Sequence, residues 1–225
     1  MPFAVKLLKL DELSGLDTEK LLSPEEQAKY GSFKVPKRRN EWLGGRLALK
    51  QAVLQHRREQ FGHLPHTHIE ARPDEKGKPR LFIEGVHSDI PISISHCSAY
   101  AAAAIGFRAG TVLGMDLEVI EERPVSWVKE VFHPAELASL EPEFLTTLWT
   151  KKEAALKALG IGLNASLWDV RFHSDTAEFY GSALPAWHGI GSKTILTTTY
   201  CKPKGYIMSI AFELERTGAN DGRFN

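Results

Sequence analysis

A short apolar segment that carries two acids constrains the fold of this chain more than any other feature. Residues 112–120 read Val-Leu-Gly-Met-Asp-Leu-Glu-Val-Ile, a composition typical of a buried β-strand. Asp116 and Glu118 are two positions apart, so both side chains leave the same face of the strand, about 7 Å from each other. Met115 and Leu117 leave the opposite face. Two like charges on a half-buried strand are costly without a cation nearby. The pattern therefore predicts a lysine, an arginine or a divalent metal such as Mg²⁺ beside this strand.

A second segment supplies a third acid and a lysine. Residues 144–159 are rich in Leu, Ala, Lys and Glu, which favour a helix, and Gly160 ends the run. Glu153 and Lys157 are four residues apart, so they lie on one face of that helix. Taken alone, such a pair is typical of an ordinary surface ion pair. Its functional interest comes from the other motifs of the chain.

Two of these motifs precede the acidic strand. Gly-Lys-Pro at 77–79 predicts a tight turn around Lys78, and Ser95 and His96 follow a short predicted strand. Adjacent residues of a strand point to opposite faces, so Ser95 and His96 are not expected to form a nucleophile and base pair. The sequence also contains no Gly-x-Ser-x-Gly elbow, which argues against an esterase.

Two arginines lie on a helix predicted over residues 37–58. Arg39 and Arg46 are seven residues apart, about two helical turns, so they share a face. Guanidinium groups bind phosphate through two parallel hydrogen bonds. The face is therefore either a phosphate contact or an ordinary solvated surface.

Together the motifs resemble those of the 4'-phosphopantetheinyl transferase superfamily, Sfp-type. The family motifs are Gly-Lys-Pro, Ser-His after a strand, Gly-(Val/Ile)-Asp-(Ile/Leu)-Glu and Trp-x-x-Lys-Glu-(Ala/Ser)-x-x-Lys. They correspond here to positions 77–79, 95–96, 114–118 and 149–157. Met115 stands where a branched aliphatic residue is commoner. The resemblance extends over residues 23–172 and implies an α+β fold of two similar lobes related by a pseudo-twofold axis, each with helices packed on a small antiparallel sheet.

The resemblance also implies an activity. Such enzymes transfer the 4'-phosphopantetheine moiety of coenzyme A to a serine of an apo acyl or peptidyl carrier protein, releasing adenosine 3',5'-bisphosphate. By this resemblance Asp116, Glu118 and Glu153 bind Mg²⁺, and either Glu153 or a metal-bound water removes the proton of the carrier serine. Lys157 and His96 stabilise the charge on the transferring and departing groups.

Coenzyme A contacts follow from the same resemblance. Lys78, Ser95 and His96 are expected to contact coenzyme A, and Arg46 and Arg39 are candidates for its 3'-phosphate. Two alternatives of other classes stay open. One is a Mg²⁺-dependent nucleotide or coenzyme A pyrophosphatase, and the other is a non-catalytic coenzyme A binding protein.

Composition adds limits on partners and location. Lys plus Arg equals 28 and Asp plus Glu equals 28, so no overall field indicates a nucleic acid or a membrane as partner. Two cysteines among 225 residues cannot form a disulfide framework and favour a reducing compartment. The first ten residues lack the pattern of a signal peptide, and no apolar run approaches about 20 residues. We therefore expect a cytoplasmic protein, and the two-lobed chain predicts a monomer.

The expected lobes are residues 1–110 and 111–225. Strands are predicted over 100–107 and 111–120, joined by a hairpin turn at 108–110. A helix is predicted to begin at His133 and Pro134. The polar tail at 217–225 is predicted to be frayed.

Overall fold

The computed structural model describes residues 1–214, and the prediction for the tail at 217–225 lies outside them. Six α-helices are found in the described part: α1 Pro24–Gly31, α2 Pro36–His56, α3 Arg58–Phe61, α4 Val125–Val131, α5 Pro142–Leu159 and α6 Leu184–Gly189. The strands there are β1 Phe3–Lys9, β2 Ile69–Pro73, β3 Pro79–Ile83, β4 Val86–Ser88, β5 Ile92–Cys97, β6 Tyr100–Gly106, β7 Leu113–Val119, β8 Val170–His173, β9 Thr176–Phe179, β10 Ile195–Tyr200 and β11 Tyr206–Glu213. The α+β fold class is confirmed.

Two main sheets repeat one arrangement. The first has the antiparallel order β1-β6-β5, and the second has the order β7-β11-β10-β9-β8. A long helix packs on each sheet, α2 on the first and α5 on the second. In both sheets the strand that comes first in the chain pairs with the strand that comes last, β1 with β6 and β7 with β11. The strand before the last then pairs on the other side of that last strand, β5 on β6 and β10 on β11. This shared order agrees with two similar lobes. A separate sheet, β2-β3-β4, stands beside the first.

A buried lysine on α2 forms hydrogen bonds to the start of the next strand, β2. Lys50 is fully buried, and its ammonium lies 2.6 Å from Glu26 Oε2. It also donates hydrogen bonds to the carbonyls of His66 and Ile69, at 2.7 and 2.5 Å. Glu26 in turn closes a capping box with Ser23 at the start of α1.

The second lobe repeats this arrangement with different residues. Lys152 on α5 is fully buried and lies 2.6 Å from Glu136 Oε2. Its ammonium donates to the carbonyls of Leu167 and Val170, at 2.9 and 2.6 Å. Glu136 closes a capping box with His133. Each lobe thus has a buried lysine that pairs with a capping glutamate and donates to two carbonyls at the start of a strand. The sequence does not reveal this structural repeat.

The predicted hairpin at 108–110 is wrong. β6 pairs with β1 on one side and with β5 on the other, so both of its edges are occupied. β7 pairs instead with β11. Residues 107–112 therefore carry the chain from the first sheet to the second.

The helix expected at His133 is also shorter than predicted, because residues Pro134–Glu136 form only one 3-10 turn. Helix α6 and strand β4 were not predicted. Within residues 1–214, no helix is both long and apolar enough to cross a membrane.

The space between the two main sheets is filled by apolar side chains. Met115 and Leu117 of β7 are fully buried there and pack with Ala102 and Ala104 of β6. This is the face opposite the acids, as the alternation along β7 predicts. Packing on this side turns Asp116 toward β5 and α5.

Candidate active site

The site forms where β5 and β7 lie side by side. Ser93 Oγ accepts a hydrogen bond from the amide of Met115 at 2.9 Å, and Ser95 Oγ accepts one from Leu117 at 3.3 Å. The pairs advance together along the two strands, so the strands run parallel. Serine hydroxyls thus join the sheets where a backbone ladder is missing.

Asp116 lies at the centre of this junction and is buried. Its Oδ1 accepts hydrogen bonds from Ser95 Oγ at 2.9 Å and from Lys157 Nζ at 2.6 Å. Its Oδ2 is also buried, yet it has no hydrogen-bond partner among the described residues. A buried carboxylate oxygen without a partner is costly, so Oδ2 is suited to a cation that is not part of the chain.

α5 brings the lysine and the third acid to the same place. Lys157 Nζ lies 3.6 Å from Glu153 Oε2, one turn back on the helix. Burial alone lowers the pKa of Lys157, but the charges of Asp116 and Glu153 outweigh it and the pKa is raised. Lys157 is therefore a permanent cation at this site.

The carboxyl groups repel one another. Burial, followed by repulsion from Asp116, raises the pKa of Glu153 to about 7. The same two causes raise the pKa of Glu118. Lys157 lowers both values but does not compensate fully. The acids thus carry more negative charge than one lysine balances, which favours an added cation.

This donor set suits Mg²⁺ in its chemistry. Asp116, Glu118 and Glu153 offer hard oxygen ligands, and the unpartnered Asp116 Oδ2 is a free one. Among residues 1–214, no three His, Cys, Asp or Glu side chains already stand in an arrangement that would hold a metal. Lys157 contacts both Asp116 and Glu153. The three acids are the residues that would hold the ion.

A cleft opens beside these groups. One cavity of about 290 Å³ is lined by Gly77, Lys78, Ser93, Ile94, Lys157 and Gly160, among others. A second of about 210 Å³ adjoins it through Gly77, Pro79 and Ile94. A larger cavity of about 740 Å³ shares Lys78 and Gly160, but Lys157 does not line it. The 290 Å³ cavity reaches Lys157, so this cavity and the adjoining 210 Å³ cavity are the candidate ligand site.

The side chain of Lys78, which belongs to the first lobe, contacts the second lobe at this cleft. Its ammonium donates to the carbonyl of Ala158 near the end of α5, at 3.1 Å. Gly160 follows α5 with φ of +76°, and a Cβ there would lie 2.9 Å from the Lys78 side chain. Burial, together with the nearby charge of Arg80, lowers the pKa of Lys78 to about 8. An anion in the cleft would favour the charged form.

Of the two predicted arginines, only Arg46 lines the cleft. Arg46 lines the second cavity, with its guanidinium 4.7 Å from the centre of the Trp42 ring. Its Nε is buried without a hydrogen-bond partner among the described residues. Arg39 lies over the ring of Tyr30 at 5.4 Å. Arg46 is thus the arginine that faces the cleft.

His96 and Ser95 point to opposite sides of β5, as expected for a strand. His96 lines the second cavity, and its Nδ1 lies 3.8 Å from Glu41 Oε2 on α2. Burial lowers the pKa of His96 although Glu41 opposes this. The structure thus brings Asp116, Glu118, Glu153, Lys157 and Ser95 to one junction, and Lys78, Arg46 and His96 to the adjoining cleft.

Sequence reasoning missed two residues of the site. Glu41 faces His96, and Cys97 Sγ donates to Glu118 Oε2 at 3.2 Å. Burial and the Glu118 charge raise the pKa of the Cys97 thiol to about 12, so it stays a thiol. The signal for Cys97 was its spacing, since Ser93, Ser95 and Cys97 alternate on the face of β5 that meets β7. No local pattern pointed to Glu41.

These features define a class of protein: a two-lobed α+β chain with three acids and a lysine beside an interlobe cleft. Residues 112–211 match the family model described as the 4'-phosphopantetheinyl transferase superfamily. A holo-[acyl-carrier-protein] synthase from Geobacillus kaustophilus is 35% identical over 101 residues, which make up 44% of this chain and 78% of the relative. The chain belongs to the 4'-phosphopantetheinyl transferase superfamily.

Two further likenesses accompany this match. A Synechocystis sp. protein provisionally named a 4'-phosphopantetheinyl transferase is 32% identical over 168 residues. The match covers 71% of this chain and 65% of that relative, slightly under two thirds of its length. A solved holo-(acyl-carrier-protein) synthase from Bacillus anthracis, in complex with CoA (3',5'-ADP), is 25% identical, covers 46% of this chain and 92% of that structure, and has a TM-score of 0.38.

Proposed function

We propose that this protein transfers the 4'-phosphopantetheine moiety of coenzyme A to a serine of an apo acyl or peptidyl carrier protein. The observation that carries the proposal is the junction at which Lys157, Glu153 and Asp116 meet beside the cleft. A permanent cation and a carboxyl group with a pKa of about 7 suit phosphoryl transfer near neutral pH. Family membership supports the same reaction.

In this proposal the serine oxygen of the carrier attacks the phosphorus nearest pantetheine. The bond from that phosphorus to the bridging oxygen breaks, and adenosine 3',5'-bisphosphate leaves. Glu153 accepts the serine proton, because its pKa of about 7 suits a general base near neutral pH. Lys157 stabilises the negative charge that develops on the phosphoryl oxygens. The chain contributes position and charge, and no covalent enzyme intermediate is needed.

Asp116, Glu118 and Glu153 are the residues that would hold Mg²⁺, and Asp116 Oδ2 is the oxygen left free for it. When bound, the ion supplies positive charge to the pyrophosphate of the substrate. Lys78, Arg46 and His96 would contact coenzyme A from the cleft wall. Arginine suits the 3'-phosphate because its fork binds two oxygens together.

The finer assignment within the family also belongs to the proposal. We place the chain with the two-lobed Sfp-type enzymes, divided near residues 110 and 111, because the strand order and the buried lysine recur in both halves. The match to the Geobacillus kaustophilus synthase fits, since it covers 78% of that protein and only 44% of this chain. A monomer follows if one chain supplies both lobes. The free thiols of Cys97 and Cys201 agree with a cytoplasmic location.

The test is intact-mass spectrometry of an apo carrier protein incubated with this protein, coenzyme A and Mg²⁺, beside an EDTA control. We expect a mass gain of one phosphopantetheine that EDTA abolishes. Hydrolysis of coenzyme A without carrier modification would favour a pyrophosphatase. Tight binding of coenzyme A without Mg²⁺ dependence or product would favour a binding protein.

A further inference from the structure

Ser95 lies at the centre of the junction rather than in the open cleft. Its hydroxyl donates to Asp116 Oδ1 at 2.9 Å and accepts from the amide of Leu117 at 3.3 Å. Lys157 Nζ approaches the same oxygen at 3.4 Å. The residue is buried, with only 6% of its surface exposed.

These contacts use the whole bonding capacity of the group. A serine hydroxyl has one donor hydrogen and two acceptor lone pairs. Ser95 donates its hydrogen to Asp116, and its two lone pairs accept from the Leu117 amide and the Lys157 ammonium. Nothing is left with which Ser95 could donate to a phosphate oxygen of coenzyme A.

We infer that Ser95 is a positioning residue, which holds the Asp116 carboxylate in one orientation and does not bind coenzyme A. This inference rests on the proposed function. Ser95 and Lys157 both donate to Oδ1, so that oxygen is held by two hydrogen bonds, and Oδ2 is left without a partner among the described residues. Without the hydroxyl, Oδ1 would lose one of these two bonds, and the carboxylate would be freer to rotate about its Cβ–Cγ bond.

Ser93 provides a matched control in the same strand. It lies two residues earlier, is also buried, and its hydroxyl accepts from the amide of Met115 at 2.9 Å. Both serines thus join β5 to β7 through a backbone amide, but only Ser95 also contacts Asp116. A difference in Mn²⁺ affinity between Ser93→Ala and Ser95→Ala therefore isolates the contact with the carboxylate.

The experiment compares Ser95→Ala, Ser93→Ala and Ser95→Thr in the full chain. It measures kcat and KM for coenzyme A, binding of 3',5'-ADP by calorimetry without metal, Mn²⁺ affinity by electron paramagnetic resonance, and thermal unfolding. Loss of a residue that orients a metal ligand typically costs about 10- to 100-fold in metal affinity or activity. We expect Ser95→Ala to lower kcat and Mn²⁺ affinity by about this factor, with 3',5'-ADP affinity and KM within about twofold of wild type.

Ser93→Ala should unfold at a temperature similar to Ser95→Ala but keep its Mn²⁺ affinity, which is the quantity compared because Ser93 also lines the cleft. Ser95→Thr, which retains the hydroxyl, should keep most of the kcat and the Mn²⁺ affinity of wild type. Weaker 3',5'-ADP binding in Ser95→Ala with unchanged kcat would overturn the inference, and so would equal losses of Mn²⁺ affinity in both alanine variants. If the wild-type protein transfers nothing, the proposed function fails. The Mn²⁺ affinities of the wild type and the two alanine variants would still test whether Ser95 orients the Asp116 carboxylate.

Discussion

Gly114 lies against the carbonyl of Ala154 with no room for a side chain between them. A Cβ at position 114 would overlap that oxygen and the amide of Ala158, both part of the α5 backbone. Backbone cannot rotate away as a flexible side chain can. The glycine therefore sets the separation of β7 from α5, and with it the distance from Asp116 to Lys157.

Replacing this glycine should damage stability and activity together. In Gly114→Ala the helix must move away from β7, and we expect a loss of about 3 kcal/mol in the free energy of unfolding. A shift of about 1 Å at the site can cost about 100-fold in rate. Urea denaturation and kcat measure both effects. Gly31→Ala is the control, because its Cβ would meet nothing within 4 Å. Wild-type values in Gly114→Ala would show that the close contact does not set the site.

The buried lysine of the second lobe makes a separate prediction about folding. Lys152→Met would leave Glu136 without its cation and the carbonyls of Leu167 and Val170 without their donor. Removing one partner of a buried ion pair costs about 3–5 kcal/mol, so we expect a loss of that size in urea denaturation.

The double variant Lys152→Met, Glu136→Gln should recover part of that loss. The glutamine removes the unpaired charge and keeps an oxygen for the amide of His133. Lys50→Met should cost a similar amount in the first lobe, because Lys50 has the same kinds of partner. A loss below about 1 kcal/mol in both single variants would contradict the structural role of these lysines.

The sequence predicted the parts of the site that depend on local periodicity. The spacing of Asp116 and Glu118 on β7, and of Glu153 and Lys157 on α5, fixes which side chains share a face, and the structure agrees. Family resemblance then linked the two segments, which spacing alone cannot do.

What the sequence missed depends on contacts between distant segments. The hairpin at 108–110 was wrong because the turn residues do not reveal that both edges of β6 are already paired. The contacts of Ser95, Glu41 and Lys152 each join segments far apart in the chain, with no periodic signal. Local patterns could therefore predict which side chains share a face of one strand or one helix, but not the contacts that hold those side chains in position.

We expect Lys78 to make ligand binding depend on pH. Its pKa of about 8 means that it is mostly charged at pH 7 and mostly neutral above pH 9. A bound phosphate favours the charged form and raises this pKa, so affinity for the phosphate is highest near pH 7 and falls as the pH rises through 8. The ligand phosphates are already ionised above pH 7. Calorimetry with 3',5'-ADP between pH 7 and 9.5 should show this decline in wild type and not in Lys78→Met. An identical decline in both proteins would remove Lys78 from the binding site.

Lys157 is expected to act on turnover more than on binding. Its ammonium is held by Asp116 and Glu153, so it is already in place before the substrate arrives. A preorganised donor that stabilises developing charge is typically worth about 100- to 1,000-fold in kcat. We expect Lys157→Ala to lose that factor in kcat while its affinity for 3',5'-ADP changes by less than about threefold. Lys151→Ala is the control, because Lys151 pairs with Asp175 instead of the site. Weaker 3',5'-ADP binding with kcat retained would make Lys157 an anchor for the bound substrate rather than a group that acts in the transition state.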